Sequence, residues 1–269
     1  MTGMAGALRL VVGLDDLGRC TLREQYCSQL HRVLQLIPGE APEEGLLYVL
    51  NPTGGVLQGD RLEADVRVER GAHAVLTTPS ATKVYRADRM TAESHTRLRV
   101  AAGATLEYLP EPLIPYSGAR YLERVSLDVE PGGRVLSWGI LTPGRAARGE
   151  LFDYEVLGFR LDVREGDALA LRERARLEPS REKFPSLAMG GATHYGVLLA
   201  IGGDCRRLSD EIRADAESLR AGVSALPGTG LILKAVAGGL RDIQVLFHRV
   251  RDRVLAHWTG RPATPLRLT

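Results

Sequence analysis

Cysteine is scarce in this chain of 269 residues: Cys20, Cys27 and Cys205 are odd in number and form no C-x-x-C pair. Neither a disulfide framework nor a thiolate zinc site is written in that pattern, and the usage suits a reducing compartment. Aromatic residues make up 5% of the chain, too few for the exposed aromatic rows of a carbohydrate-binding surface. Neither sign of charge prevails, since 35 basic residues face 33 acidic ones, so no field exists to hold nucleic acid by counterion release. No apolar run approaches the roughly 20 residues of a membrane-spanning helix. The opening MTGMAGALRLVVGLDD lacks a basic leader and is broken by Arg9 and Asp15, so the expectation is a cytoplasmic protein with no membrane segment. Lysine is almost missing too: Lys83, Lys183 and Lys234 are the only three, and arginine carries the remaining positive charge. Arginine is favoured at protein interfaces, although a genome rich in G and C produces the same bias.

Histidine does not fill the gap. His31, His73, His95, His194, His248 and His257 include no pair at the i, i+4 spacing of a helical metal site, so no strong permanent metal centre is expected, and His73 reads as a structural histidine.

What the chain does have is a hydrophobic content of 44%, ample for a core, and no linker, which reads as one domain over 1–269. An alternating strand, a Gly-led turn and a second apolar strand recur around Gly71, Gly103, Gly132 and Gly166, at separations of 32, 29 and 34 residues. A period near 30 residues fits a stacked, solenoid-like β architecture, and regularly spaced hairpins of a β-sandwich fit it equally. Two helices are expected late in the chain. One runs over about 209–221, with Ser209 as N-cap, Asp210 and Glu211 in the first turn and Gly222 as the stop. The other runs over about 240–258, with Leu240, Ile243, Phe247, Val250, Val254 and Trp258 forming the apolar stripe and Arg241, Arg249, Arg251 and Arg253 the opposite face. A strand over 230–236 joins them to the β body of about 1–200.

Chemistry concentrates between Asn51 and Arg86. Gly54, Gly55 and Gly59 lead into Asp60 and an alternating strand with Leu62, Ala64, Val66 and Val68; Thr77, Thr78, Ser80, Thr82 and Lys83 then cluster around Pro79. The glycines are not a nucleotide cradle, because no helix and no Lys-Ser or Lys-Thr follows, and the Asp60 carboxylate repels phosphate. Ser80-Ala81-Thr82-Lys83 matches the S-x-x-K of serine acyl-enzymes, which leaves a hydrolase using Ser80 and Lys83 as the alternative class. That chemistry also needs S-D-N and K-T-G elements, and neither string occurs.

Pro52 to Asp60 and Gly71 to Arg86 resemble, in order, two motifs of the urease accessory protein UreD family. Leu109-Pro110-Glu111-Pro112 with Gly118-Ala119-Arg120, and then Gly144 to Glu150, are similar to two further family landmarks. The likeness is strongest before residue 150; the first 45 residues match only vaguely, and the tail Pro262 to Arg267 departs from the family's Pro-Arg-x-Trp-like end.

The resemblance implies a mainly β fold, a β-helix-like body of stacked strands with a small helical C-terminal part. It implies a non-catalytic scaffold or chaperone for urease maturation, bridging apo-urease and UreF, which recruits UreG. It implies as well that no cofactor is tightly bound and that nickel is in transit along a water-filled path. Carried over residue by residue, Asp60 and Glu150 offer transient oxygen ligands, Thr78 and Ser80 hydrate the path, and Arg86, Arg120 and Arg145 brace loops. Thr82, Lys83 and Tyr85 complete the family-motif set with Gly54, Gly55 and Gly59. The same positions can serve merely to hold the β coils in register.

Overall fold

The computed structural model describes residues 3–179 and 189–266; Lys183 lies outside them. In chain order the strands are β1 (Ala5–Leu14), β2 (Cys20–Cys27), β3 (Arg32–Val33), β4 (Ile37–Pro38), β5 (Glu44–Leu50), β6 (Arg61–Val68), β7 (His73–Thr77), β8 (Thr82–Val84), β9 (Ala92–Val100), β10 (Thr105–Leu109), β11 (Leu113–Pro115), β12 (Arg120–Val129), β13 (Arg134–Leu141), β14 (Val156–Glu165), β15 (Ala168–Leu177), β16 (His194–Ile201), β17 (Arg220–Ala225) and β18 (Leu231–Ala237). The two α-helices described are α1 (Ser209–Asp215) and α2 (Leu240–Thr259).

The repeat stacks as coils. The first strand of each repeat, β6, β9, β12 and β14, pairs in parallel with its counterpart, and β1 and β2 extend this sheet to the order β15-β14-β12-β9-β6-β1-β2. The second strands β7, β10 and β13 stack in parallel in a facing sheet of order β17-β18-β16-β13-β10-β7-β5-β3. Register repeats faithfully: Val66, Leu98, Leu127 and Val163 stand side by side, and so do His73, Thr105 and Arg134. At the turns Gly71, Gly103 and Gly132 all take positive φ, and each N–H of the first two bonds the carbonyl of the next, at 3.2 and 3.0 Å. That ladder of left-handed residues explains the glycine period. The body is therefore a mainly β solenoid.

Its fourth turn behaves differently. At Gly166-Asp167 the chain does not cross to the facing sheet; β15 folds back antiparallel on β14, and β16, also antiparallel, occupies the place beside β13. The stack is closed by hairpin geometry once parallel coiling stops.

The inward phase of the strands supplies the core. Leu10, Val12, Val66, Val68, Leu98, Val100, Leu127 and Val129 meet Ala74, Leu76, Leu106, Val135 and Leu199 between the sheets. The facing sheet is covered on its other side by α2, whose Ile243, Leu246, Phe247, Val250, Val254 and Trp258 pack on Trp138, Ile140, Leu198 and Leu233. Burial on both faces explains why HAVLT in β7 carries no exposed position.

Two expectations for the C-terminal part are corrected. The first helix stops at Asp215, not near residue 221, and Arg220–Ala225 is the edge strand β17 with Gly222 inside it. Ala216 and Leu219 keep packing on the same apolar cluster through the intervening turn, which prolongs a helix-like spacing beyond the helix. Ser209 is not an N-cap; its hydroxyl donates to the Arg206 carbonyl at 2.6 Å, inside a preceding 3-10 turn. Arg251, assigned to the polar face of α2, is instead buried at 2% exposure.

Candidate functional site

Between β7 and β9, and again between β10 and β12, the coils have a third, short side made of β8 and β11, which pair in parallel. Val56 bridges to Val84 in the same direction. Backbone bonds tie consecutive segments together: Val56 N–H to the Lys83 carbonyl at 2.8 Å, Thr82 N–H to Pro112 at 2.9 Å, and Thr142 N–H to Leu113 at 3.0 Å. The four sequence landmarks, far apart in the chain, thus occupy equivalent levels of successive coils and form one wall. Gly55 is needed there, because a Cβ would fall 2.5 Å from the Tyr85 ring and 2.7 Å from the Lys83 carbonyl. Gly54 and Gly59 adopt positive φ in the turns on either side.

Asp60 is 1% exposed. Its two oxygens accept the backbone N–H groups of Met4 at 3.0 Å and Leu57 at 2.9 Å, so the carboxylate closes its own turn and pins the strand β1 entry to it. Glu150 is engaged as well: Arg145 Nε donates to its Oε2 at 2.8 Å, the Arg145 Nη2 group reaches Oε1, and the Ser117 N–H adds a bond at 3.2 Å. The Arg145 hydrogen bond heads the causes that hold the Glu150 carboxyl below its ordinary range. Arg145 also stacks over Tyr116, 4.1 Å from the ring centroid, and Tyr116 meets Tyr85 edge-on at 5.0 Å. Arg86 pairs with Asp88 and Arg120 with Glu155. Thr78 accepts the Glu111 N–H and donates to the Ser80 carbonyl, while Ser80 is exposed at the rim.

Behind this wall lie two cavities of about 430 and 460 Å³. The second is lined by the landmark loops, among them Asn51, Gly55, Thr78, Ser80, Thr82 and Lys83. The first runs between the sheets toward β15 and β18, past Ser137, Gly139, Phe159, Glu173 and Lys234. Thr82, Tyr108, Pro110 and Glu123 line both. The space has a sequence cause. On the inward rows of the first sheet the bulky residues Leu98 and Leu127 give way, toward the strand starts, to Ala64, Ser94, Thr96 and Glu123, and the facing β13 carries Gly139; small and polar side chains do not fill the gap.

Glu123 is the acidic residue of that junction. Surrounded by protein yet keeping surface toward the cavities, it is half-buried, and it accepts a long hydrogen bond from the Tyr121 hydroxyl at 3.5 Å. Burial pushes its carboxyl up to about 7, opposed by the Tyr121 bond. Burial first, and then the Glu123 charge, raise Tyr108 and Tyr121 above the usual phenol range, so both hydroxyls remain protonated. His31 also lines the second cavity; burial lowers it to about 4, and its Nε2 is buried without a hydrogen-bond partner among the described residues.

A separate charged cluster sits between β5, β7, β10 and α2. Donor atoms of Glu44, His73 and Glu107 lie within 4.8 Å of one another. This trio is already satisfied. His73 Nε2 and Glu107 Oε1 are 2.7 Å apart, Arg251 Nε donates to Glu107 Oε2 at 2.5 Å, and Thr264 donates to Glu44 at 2.8 Å. An entering cation would have to displace the Arg251 guanidinium, so the cluster reads as a brace.

Sequence reading overlooked Glu123, Glu107, Arg251 and His31. For the two glutamates the signal was present: in RYLERVSLDV the phase Tyr121, Glu123, Val125, Leu127, Val129 points inward, and in TLEYL Glu107 shares with Leu109 the phase that faces α2. A carboxylate on an apolar phase marks a special interior site. Ser80 and Lys83, by contrast, gain nothing from the fold. Ser80 is in a bend and Lys83 in β8, so the two are not stacked on one helical turn, where residues three apart meet, and no hydrogen bond joins them among the described residues.

No described helix is long and apolar enough to cross a membrane. Residues 4–269 match the family described as UreD urease accessory protein, so the likeness extends through the first 45 residues as well. The chain is similar to the urease accessory protein UreD of Actinomyces naeslundii, at 32% identity over 97% of this chain and 98% of the relative. It is 34% identical to that of Bacillus sp. strain TB-90, over 77% and 78% of the two chains. With that of Pseudomonas putida strain W619 it shares 36% identity over 82% and 79%.

Proposed function

The chain belongs to the UreD urease accessory protein family, and from that membership we propose that it is a non-catalytic scaffold for nickel insertion into urease. It works in the cytoplasm, bridges the urease apoprotein and UreF, and reaches UreG through UreF. Nickel is cargo in transit and no cofactor stays bound. The observation that carries this reading is the pair of cavities that share Thr82, Tyr108, Pro110 and Glu123 behind the stacked family landmarks. They offer a route between the loop wall and the β15–β18 side whose mainly apolar lining carries a few oxygen groups, those of Thr82, Tyr108 and Glu123 among them, and oxygen donors bind nickel more weakly than sulfur or imidazole and so release it.

Asp60 and Glu150 act on this reading through shape. Their oxygens are committed to backbone N–H groups and to Arg145, so they hold the wall in place, while Thr78 and Ser80 present hydroxyls at its rim. The relatives' description as accessory proteins favours the non-catalytic role over the Ser80–Lys83 acyl-enzyme.

Co-expression with urease subunits and UreF tests the scaffold. A co-purifying complex is expected, and deletion of this chain leaves urease made but poor in nickel. Normal nickel loading in the deletion strain refutes the proposal. Covalent labelling of Ser80 by a fluorophosphonate would instead favour the hydrolase.

A further inference from the structure

One inward row of the first sheet places Leu62, Ser94, Glu123 and Phe159 side by side. On a row otherwise apolar or neutral, Glu123 is the one residue that ionises as an acid. Among the four residues shared by both cavities it is again the one carboxylate. Unlike Glu107, which is held by Arg251 and His73, it forms no salt bridge with a basic side chain among the described residues. Leaving a carboxylate inside protein without a countercharge is costly, so such a group calls for a ligand.

The other charges facing the junction do not supply the countercharge. Lys83 lines the second cavity, and Glu111, itself raised by burial, lines the first. Of the other basic residues at the cavities, Arg160 and Arg172 are both paired to Asp162 and Lys234 to Glu173, and Arg174 lies on the edge strand β15. The oxygen that approaches Glu123 is neutral, the Tyr121 hydroxyl at 3.5 Å, and the Tyr108 hydroxyl lies near enough for the Glu123 charge to act on it.

We propose that the Glu123 carboxylate is an oxygen-ligand station for a divalent cation at the junction of the two cavities, completed by water and the neighbouring hydroxyl oxygens. This rests on the reading of the cavities as a cation route. One carboxylate with neutral oxygens gives a weak and exchangeable site, as a conduit requires. When the ion enters, an aquo ligand leaves it for bulk water, a Glu123 oxygen takes that position, and any proton on the carboxyl passes to solvent. The raised carboxyl of Glu123 makes that proton release measurable near neutral pH.

The test is anomalous diffraction from crystals of the full chain soaked in nickel chloride at pH 8. A nickel peak at Glu123 is expected in the parent chain and in Glu123→Asp, and is lost in Glu123→Gln, whose melting temperature confirms that it folds. In cells, Glu123→Gln is expected to lower urease nickel content about tenfold, the order seen when one group supporting a metal is removed. A parent crystal with no nickel at Glu123, or full urease loading with Glu123→Gln, overturns the station. A deletion strain run alongside separates the two ideas: nickel-poor urease there leaves the maturation role standing when the station fails, whereas loaded urease there removes the maturation role itself.

Discussion

The Arg251 guanidinium, on the C-terminal helix α2, and the Glu107 carboxylate, in the middle of β10, form an ion pair at 2.5 Å with side-chain exposures of 2% and 0%. Arg251 also donates to the Thr264 carbonyl at 2.9 Å, and Arg261 pairs with Glu43, so one cluster binds helix, tail and solenoid. The expected consequence of Arg251→Ala is a loss of about 3–5 kcal/mol, because Glu107 is left charged and buried without its partner. Urea unfolding measures it. Arg251→Met combined with Glu107→Leu should recover most of that loss, since an apolar pair leaves no orphaned charge.

Glu107 also carries a pH signature. Burial alone would raise its carboxyl, but the His73 hydrogen bond and the Arg251 charge bring it below the ordinary glutamate value. A depressed carboxylate stabilises the fold above the unfolded value of about 4.3 and loses that contribution as pH falls through the folded value. Acid titration of the chain should show a steep loss of stability below about pH 4, and Glu107→Gln, already destabilised at pH 7, should show a shallower one.

Glu123 and His31 have opposite pH slopes. With its folded value about 7, Glu123 holds a proton that the unfolded chain releases above about 4.3, so its burial costs stability progressively as pH rises from about 4.3 to 7. His31, lowered to about 4, must stay neutral while the unfolded imidazole protonates, so stability falls as pH drops from about 6.5 to 4. Each accounts for roughly 3 kcal/mol over its window, at 1.36 kcal/mol per pKa unit. Urea midpoints at pH 4.5, 5.5 and 7.5 should therefore be nearly level for the parent chain. Glu123→Gln should lose stability on acidification, and His31→Leu should gain it.

Asp60 separates shape from ligation. Two backbone N–H groups converge on its carboxylate, and removing an acceptor that is charged and buried costs about 1–3 kcal/mol per orphaned donor. Asp60→Ala should lower the melting temperature and the soluble yield before any effect on urease is read. Asp60→Asn keeps one acceptor and should be intermediate. A fully stable Asp60→Ala that fails only in urease activation would return Asp60 to the ligand role.

The coil period was legible because the left-handed turns at Gly71, Gly103 and Gly132 impose a glycine at each corner, and because Val66, Leu98 and Leu127 hold the same phase. The hairpin at Gly166 was not, since Gly-Asp serves a hairpin turn as well as a solenoid corner and the choice depends on what lies beside β13. In the same way, the resemblance offered Asp60 and Glu150 as transient oxygen ligands, and only coordinates reveal that backbone N–H groups and Arg145 bond them. The inward phase of β12 marks Glu123 in the sequence, but not that Thr82 and Tyr108, from two other coil sides, line the same junction.

The most direct test is to plug the route without disturbing the wall. A Cβ at Gly139, which lines the first cavity, would meet nothing closer than the Val197 side chain at 3.8 Å, so Gly139→Phe starts its ring from an uncrowded position on the cavity wall. The measurement is the nickel content of urease purified from cells expressing this variant, with its melting temperature and its co-purification with urease and UreF as controls. The account predicts a folded, complex-forming protein and nickel-poor urease; fully loaded urease with the cavity filled would contradict it.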